Sequence, residues 1–287
     1  MEITSFRQLY MVCKSSNKTI YEVALENEVE KAEYTQFQVV IQAKKSLDAM
    51  KEAIKLGLQS TEPSPSGMSG DDCNKLQKSK KHILSPLALK MMTYALATSE
   101  QNLRMGTIVA CPTAGSCGIV PAVLVAYAEE NGISEDEQIN ALITAGEVGR
   151  LVAIKMALAG AVGGCQAECG VASAMATAAL TQMRGGSVKQ ILNAVGLALK
   201  NILGLTCDPV CGLVEIPCVK RNPFLAIHAV TASELAMADI ITKIPVDEIV
   251  DAMEQTGQLM SPLLKESSQG GLAKTKTAIA LEKNVLK

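Results

Sequence analysis

Aromatic side chains are scarce in this sequence, which contains three Phe, five Tyr and no Trp among its 287 residues. Between Tyr94 and Phe224, only Tyr127 interrupts a stretch rich in Ala, Gly, Val, Leu and Met. This composition excludes a core built on large aromatic rings, and small side chains let helices approach closely. The sequence therefore predicts a tight, aliphatic and mostly helical core.

An excess of charge of one sign is also missing. The 27 Lys and Arg residues nearly balance the 29 Asp and Glu residues, so the formal net charge is −2. Such a chain lacks the electrostatic attraction that nucleic acid or an anionic membrane surface requires. Because 48% of the residues are hydrophobic and 20% are charged, we expect a soluble globular protein without a nucleic-acid partner.

One uncharged stretch, residues 105–128, has the length needed to cross a bilayer. It contains several residues that favour turns: Gly106, Pro112, Gly115, Gly118 and Pro121. Turn-forming residues in the middle of an apolar stretch argue against a spanning helix. We therefore expect no membrane span.

The N-terminus lacks the apolar run of a secretory signal peptide, and the nine cysteines are an odd number. Both observations predict a reducing compartment, so we expect a cytoplasmic protein. In such a compartment, clustered thiols more often bind metal or take part in catalysis than form disulfides.

Helix signals recur along the chain, and no convincing alternating strand of six residues is found. Ser85 before Pro86 and Asn222 before Pro223 are typical of an N-cap followed by proline at the first helical position. The predicted helices cover residues 87–103, 121–131, 138–161, 188–202, 222–242 and 245–257. The fold class is therefore predicted to be all-α.

The chain divides by composition near residue 60. We expect residues 1–60, which are charged and carry several aromatic residues, to form an N-terminal helical segment, and residues 61–287 to form a single compact helical domain. The Ser-, Pro- and Gly-rich stretch 60–70 cannot be helical. It is either a linker or an Ω-like loop whose hydroxyls and backbone N–H groups face a ligand.

Three glycine-rich junctions between helices carry cysteines: residues 109–118, 163–170 and 206–222. Burying unpaired backbone is costly, so apolar loops with many glycines usually approach a ligand or one another. Free cysteines are also among the most buried residues, and ordinary packing is favoured for Cys13 and Cys73.

Two kinds of metal site are compatible with the remaining cysteines. The C-x₃-C pairs Cys165/Cys169 and Cys207/Cys211 would supply a tetrahedral zinc site. Alternatively, thiolates from separate helix ends would hold an iron–sulfur cluster. A cluster held by three cysteines leaves one iron open as a Lewis acid.

The junctions resemble, motif by motif, the alpha chain of the iron–sulfur-dependent L-serine dehydratases (L-serine ammonia-lyases). The resemblance extends from Ser66 to about Ala273. It rests on six elements in order: Ser66-Gly-Met-Ser-Gly, Met105-Gly-Thr-Ile-Val-Ala with Pro112-Thr-Ala-Gly, Gly164-Cys-Gln-Ala-Glu, Cys207-Asp-Pro-Val, Pro217-Cys with Arg221-Asn, and Lys265-Glu-Ser with Gly270-Gly-Leu-Ala.

This resemblance implies a [4Fe–4S] cluster held by Cys165, Cys207 and Cys218, on which the glycine-rich loops of the catalytic domain would converge. Cys169, one helical turn from Cys165, is the alternative ligand. The other cysteines nearby fall outside the motif positions and are expected to pack around the cluster: Cys111, Cys117 and Cys211.

The implied activity is the deamination of L-serine to pyruvate and ammonia by β-elimination of water, assisted by the open iron. Two alternatives remain: an iron–sulfur hydro-lyase for another hydroxy acid, and a zinc-stabilised helical binding subunit without turnover. Metal analysis separates the iron and zinc interpretations.

The same resemblance suggests substrate contacts in two donor-rich loops. The predicted substrate-binding residues are Ser66, Gly67, Ser69, Gly70, Thr113, Gly115, Arg221 and Asn222. Arg221 is equally compatible with a structural ion pair, and Asn222 with a helix N-cap. The candidates for the general base are Lys265 and His82, whereas His228 is expected to be a core or surface residue.

A separate partner chain is also implied. Single-chain members of the family carry an additional N-terminal domain, which two-chain members have as a beta chain. No alternating α/β domain fits before the cluster motifs. We therefore expect a heteromer with a separately encoded beta chain, in which residues 1–60 either dock the partner or pack against their own core.

Overall fold

A computed structural model of the chain describes residues 2–32 and 34–285. Within these ranges the chain forms thirteen α-helices and no strand, which confirms the all-α prediction. Four residues of the two predicted segments lie outside the described residues: Met1, Glu33, Leu286 and Lys287. The helices are α1 (Phe6–Ser16), α2 (Ile20–Ala32), α3 (Gln36–Gln59), α4 (Asp72–Lys78), α5 (Pro86–Leu103), α6 (Ile119–Asn131), α7 (Glu135–Lys155), α8 (Gly160–Gly163), α9 (Val171–Met183), α10 (Val188–Lys200), α11 (Cys218–Met237), α12 (Val246–Leu259) and α13 (Lys276–Val285).

Helix α9 lies at the centre of the molecule. Every residue from Val171 to Thr181 is buried, and the helix packs against α6, α7, α10 and α11. Its sequence is almost entirely Ala, Val, Met, Leu, Ser and Thr, so no face of it is suited to water. The small residues let the surrounding helices approach closely, as predicted from the shortage of aromatic residues.

Local capping signals place several helix ends correctly. Ser85 accepts a hydrogen bond from the Ala88 N–H, with Pro86 in the first turn of α5. Ser187 forms a capping box with Gln190 at the start of α10. Gly132 ends α6 in the left-handed region, with a φ of 64°. These ends are set by neighbouring residues, so the sequence shows them directly.

The prediction for α7 was partly wrong. The helix begins at Glu135, three residues before the predicted start, because Ser134 and Glu137 form a capping box. Hydrophobic periodicity does not detect this capping pattern. It ends at Lys155, after which Met156 is extended, and residues 160–163 form the separate short helix α8. The change of direction brings the chain into the second cysteine loop.

The prediction for α11 was also wrong at both ends. The helix begins at Cys218, so Pro223 lies inside it and Asn222 is not its N-cap, and it ends at Met237. Asn222 is fully buried and hydrogen-bonded to a neighbouring loop, and this tertiary contact outweighs the local signal of Asn followed by Pro. Helix α12 begins at Val246, next to the predicted Pro245.

The N-terminal helices pack on the same core as the rest of the chain. Phe6 and Leu9 of α1 belong to the main cluster of buried hydrophobic residues. Asp247 of α12 accepts hydrogen bonds from the Phe6 N–H at 3.0 Å and the Arg7 N–H at 2.9 Å, which satisfies the start of α1. This packing agrees with one of the two expectations for residues 1–60, namely that they pack against their own core.

Among the described helices, none combines the length and the apolar character that a membrane span requires. The uncharged stretch 105–128 divides into a loop and α6, as its turn-forming residues indicated.

The crossing of α3 and α5 provides a test of the close packing. A Cβ atom added at Gly57 of α3 would lie 2.1 Å from the Ala97 carbonyl oxygen of α5. We predict that Gly57→Ala lowers the free energy of unfolding by about 1–3 kcal/mol, because the two backbones must separate.

The matched control is Gly146→Ala in α7, where an added Cβ meets nothing within 4 Å. Alanine is the better helix former, so this variant should be unchanged or more stable by up to about 1 kcal/mol. Thermal unfolding followed by circular dichroism compares the two. Equal melting temperatures would contradict the proposed close approach.

Candidate functional site

Four buried cysteines gather where the loops meet the N-terminal end of α9. The Sγ atoms of Cys165 and Cys169 are 3.4 Å apart, and Cys207 lies near enough to Cys165 for each thiol to shift the pKa of the other. Cys218, in the first turn of α11, lies close enough to interact electrostatically with the other three. The three predicted cluster ligands and the alternative ligand are therefore brought together.

A π-helical turn over residues 166–170 places Cys169 beside Cys165 just before α9. The side chain of Gln166 is fully buried and fixes this turn. Its Nε2 donates to the Met253 carbonyl at 2.9 Å, and its Oε1 accepts from the Gly204 N–H at 2.9 Å. The turn is thereby fastened both to α12 and to the loop that carries Cys207.

Cys207 is held by a second segment, residues 262–272, which we call the strap. The Cys207 N–H donates to the Leu264 carbonyl at 2.8 Å, and the Glu266 N–H donates to the Cys207 carbonyl at 2.5 Å. The carboxylate of Asp208 accepts from the Leu272 N–H at 2.8 Å. These contacts place the backbone of Lys265 directly beside Cys207.

Arg221 is engaged in a structural ion pair, one of the two roles that the sequence allowed. Its guanidinium donates to the Thr206 carbonyl at 2.8 Å and to Asp208 at 3.1 Å. Its charge also lowers the pKa of the nearby Cys165 thiol. The positive charge of Arg221 is thus directed at the cysteine group.

Cys165 differs from the other three thiols in the direction of its pKa shift. The hydrogen bond between Cys165 and Cys169, the neighbouring Cys207 thiol and the charge of Arg221 hold the pKa of Cys165 well below its usual range. The interaction with Cys165 raises the pKa of Cys169 and of Cys207 above the usual range, and burial adds to both shifts. Burial raises the pKa of Cys218 to about 12. A bound metal would displace the remaining protons.

Glu168 is the residue that the analysis of the sequence missed. Its carboxylate accepts a hydrogen bond from the Thr113 hydroxyl and lies next to the cysteines. Burial raises its pKa to about 7, although the Thr113 hydrogen bond opposes this shift. The signal was present in the sequence, because a residue three positions after Cys165 falls on the same helical face.

The donor set fits an iron–sulfur group. Thiolates are the usual ligands of such clusters, and here they converge from separate loops. Gly160 forms part of the same surface, because an added Cβ there would lie 2.9 Å from the Cys207 sulfur and 3.0 Å from a Glu168 carboxylate oxygen. The site therefore leaves no room for a side chain at this position.

The zinc set suggested by the two C-x₃-C pairs is not assembled. Cys211 is half-buried, and its sulfur lies 3.9 Å from the Met68 sulfur, in the contact with the serine-rich loop. Its backbone φ of 59° turns the chain between Cys207 and Cys218. Cys211 is thus separated from the group that Cys165 and Cys169 form.

The stretch 60–70 folds as a loop against the core. Ser66 donates to Glu215 and accepts from the Met68 N–H, so its hydroxyl is engaged. Ser69 is buried and its hydroxyl has no hydrogen-bond partner. Gly67 is exposed with a φ of 73°, whereas a Cβ at Gly70 would lie 2.6 Å from Pro63 Cα.

The second predicted substrate loop lies against the cysteine group. A Cβ at Gly115 would be 2.8 Å from a Glu168 carboxylate oxygen, and Thr113 donates to the same oxygen. Asn222 accepts from the Gly118 N–H and donates to the Gly115 and Cys218 carbonyls. Asn222 therefore shapes this loop from within α11.

The histidines lie elsewhere. His82 is in the exposed loop between α4 and α5, where its Nε2 is 2.8 Å from the Ser79 carbonyl oxygen, and it does not join the cysteine group. His228 of α11 contacts the Ser173 hydroxyl at 2.8 Å, and burial lowers its pKa. It is half-buried, between the two positions expected for it, the core and the surface.

Known proteins are similar to this chain in sequence. The family model for the serine dehydratase alpha chain matches residues 15–273. The chain is similar to the probable L-serine dehydratase alpha chain of Bacillus subtilis, with 44% identity over 282 residues that cover 97% of this chain and 94% of that one. It is 37% identical over 288 residues to the L-serine dehydratase alpha chain of Peptoniphilus asaccharolyticus, with 99% of both chains covered.

A longer relative is the L-serine dehydratase TdcG of Escherichia coli, with 43% identity over 182 residues. That match covers 63% of this chain but 40% of the relative. Because the family match covers all three cysteine-bearing loops and the strap, the chain belongs to the serine dehydratase alpha chain family.

Proposed function

We propose that this chain is the cluster-binding subunit of an L-serine dehydratase, which converts L-serine to pyruvate and ammonia. The observation that carries the proposal is the group of buried thiols around Cys165, which contacts Cys169 at 3.4 Å, forms a compact set of possible ligands with Cys169 and Glu168, and interacts electrostatically with Cys207, Cys218 and Arg221. The names of the relatives in Bacillus and Peptoniphilus support the substrate.

In this proposal, Cys165, Cys207 and Cys218 hold a [4Fe–4S] cluster, and Cys169 packs behind Cys165. When bound, such a cluster with one open iron supplies a Lewis acid for the departing hydroxyl group. Arg221 supplies the positive charge that stabilises the thiolates, and its bonds to Thr206 and Asp208 fix its position.

We assign to Glu168 the handling of the substrate proton. Elimination requires removal of a weakly acidic Cα proton by a base near the metal site. One carboxylate oxygen accepts from Thr113, while the other faces Gly160 and Cys207. Lys265, whose backbone lies beside Cys207, remains the second candidate, and the exposed position of His82 makes it the weaker one.

The substrate is proposed to bind between the loop at Thr113 and Gly115 and the loop of residues 66–70, with Ser69 supplying an unengaged hydroxyl. The partner is proposed to be a separately encoded beta chain in a cytoplasmic heteromer. The greater length of the Escherichia coli relative and the alpha chain names of the other two support this assembly.

An anaerobic preparation tests the function directly. We predict iron with acid-labile sulfide, and pyruvate formation from L-serine that rises when a beta chain is co-expressed. Exposure to air should inactivate the protein, because an open iron is accessible to oxidant. Zinc without sulfide would instead indicate the binding subunit, and turnover of another hydroxy acid alone would indicate the other hydro-lyase.

The ligand assignment is tested one cysteine at a time. We predict that Cys165→Ser, Cys207→Ser and Cys218→Ser each lose the brown absorbance of the cluster and the activity together. Cys13→Ser, in the buried face of α1, is the matched control and should keep both within a few-fold. Loss of the cluster in Cys169→Ser but not in Cys165→Ser would show that Cys169 is the ligand.

The role of Glu168 is tested by Glu168→Gln, which removes the negative charge and keeps the shape. We predict a fall in kcat of about 10²–10⁴, the usual contribution of a general base, with iron and sulfide content unchanged. The control is Glu254→Gln on the exposed side of α12. Activity within a few-fold of the unsubstituted protein would exclude Glu168 as the base.

A further inference from the structure

Glu215 lies in the segment between two proposed cluster ligands, residues 207–218, which we call the cysteine segment. Its side chain is 5% exposed. The Ser64 hydroxyl donates to one carboxylate oxygen at 2.7 Å, and the Ser66 hydroxyl donates to the other at 2.7 Å. Two short hydrogen bonds therefore join the cysteine segment to a loop about 150 residues earlier in the chain.

The chemistry of this contact is unusual. A buried carboxylate is costly unless it is paired with a cation or well supplied with hydrogen bonds. Among the described residues, no Lys, Arg or His forms an ion pair with Glu215. The two serine hydroxyls are thus the side chains that compensate it, and losing them would leave a buried carboxylate unsatisfied.

The loop on the other side of the contact, residues 64–70, we call the serine loop. The Ser64 N–H donates to the Ser69 carbonyl at 2.8 Å and closes the loop. The Ser66 hydroxyl accepts from the Met68 N–H at 3.0 Å, so the group that binds Glu215 also orders the tip. A second contact joins Met68 to Cys211 of the cysteine segment.

The stems of the serine loop are anchored separately. Arg104, directly after α5, donates to the Glu62 carbonyl at 2.8 Å, and Glu100 of α5 accepts from the Asp72 N–H at 2.7 Å. The tip, in contrast, is held by the cysteine segment. The position of the tip therefore depends on the conformation of residues 207–218.

We propose that Glu215 is a positioning residue that couples the cysteine segment to the serine loop. When Cys207 and Cys218 are fixed by a bound cluster, the Glu215 carboxylate between them is fixed too. It then holds the Ser64 and Ser66 hydroxyls, and the serine loop takes the shape in which it receives the substrate. The link to cluster and substrate rests on the proposed function, but the link between Glu215 and the serines does not.

The first test measures the coupling in the full-length chain without cluster. Hydrogen exchange of amides in the serine loop is compared in Glu215→Gln, in Ser64→Ala/Ser66→Ala and in the variant that combines all three substitutions. Because each variant breaks hydrogen bonds to a charged group, we expect exchange to be about tenfold to a hundredfold faster in the first two. The combined variant should exchange little faster than either.

Glu130→Gln, an exposed carboxylate of α6, is the matched control. The Ser64→Ala/Ser66→Ala variant removes the same hydrogen bonds from the serine loop. It therefore tests the coupling if Glu215→Gln does not fold. Effects that simply add in the combined variant, or exchange equal to that of the control, would overturn the coupling.

The second test asks whether the coupling serves the site. In the anaerobic enzyme with its beta chain, we expect Glu215→Gln to raise the KM for L-serine about tenfold with kcat within threefold and iron content unchanged. Loading the cluster should slow exchange of the serine loop in the unsubstituted chain and not in Glu215→Gln. Equal slowing in both, or an unchanged KM, would overturn the positioning role.

The two tests fail in different ways. If the chain binds no cluster, the second test fails for every variant while the first still gives its answer. If the chain binds the cluster but the serine loop exchanges at the same rate with and without it, the proposed function stands and the positioning role is wrong.

Discussion

The burial of α9 on every side is the constraint on which the rest of the structure depends. An apolar helix must be surrounded, so α6, α7, α10 and α11 are fixed around it. The loops that join them meet at the N-terminal end of α9, where the π-helical turn with Cys165 and Cys169 leads into the helix. The packing of the core therefore fixes the loops, and the loops bring the cysteine thiols together.

Buried polar side chains then select one arrangement of these loops. Gln166 joins the turn before α9 to α12 and to the α10–α11 loop. Asn222 joins α11 to the loop before α6. Since an unpaired buried amide is costly, a different loop arrangement would lose these bonds without replacement. These directional hydrogen bonds give the site a defined geometry, which the non-directional hydrophobic contacts of the core do not specify.

Charge at the site is balanced over a short distance. Arg221 faces Asp208 on one side and the Cys165 sulfur on the other, so it stabilises a thiolate where burial opposes one. Burial raises the pKa of Glu168 to about 7, and the charge of Arg221 and the hydrogen bond from Thr113 oppose this shift only in part. The pKa of the Cys165 thiol is therefore lowered and that of the Glu168 carboxyl is raised within the same buried site.

The sequence by itself determined the helical fold, the capped starts of α5 and α10, and the three cysteine-bearing loops that gather, because these depend on composition, on neighbouring residues or on recognisable motifs. Only the tertiary structure decided that Cys211 lies apart from the other thiols, that Asn222 is buried inside α11, and that Glu168 and Glu215 face Thr113 and the serine loop. The physical reason is distance along the chain. Each of these features depends on partners tens of residues away or more. Hydrophobic periodicity and helix-capping residues are local signals, so they do not indicate which loops pack against each other.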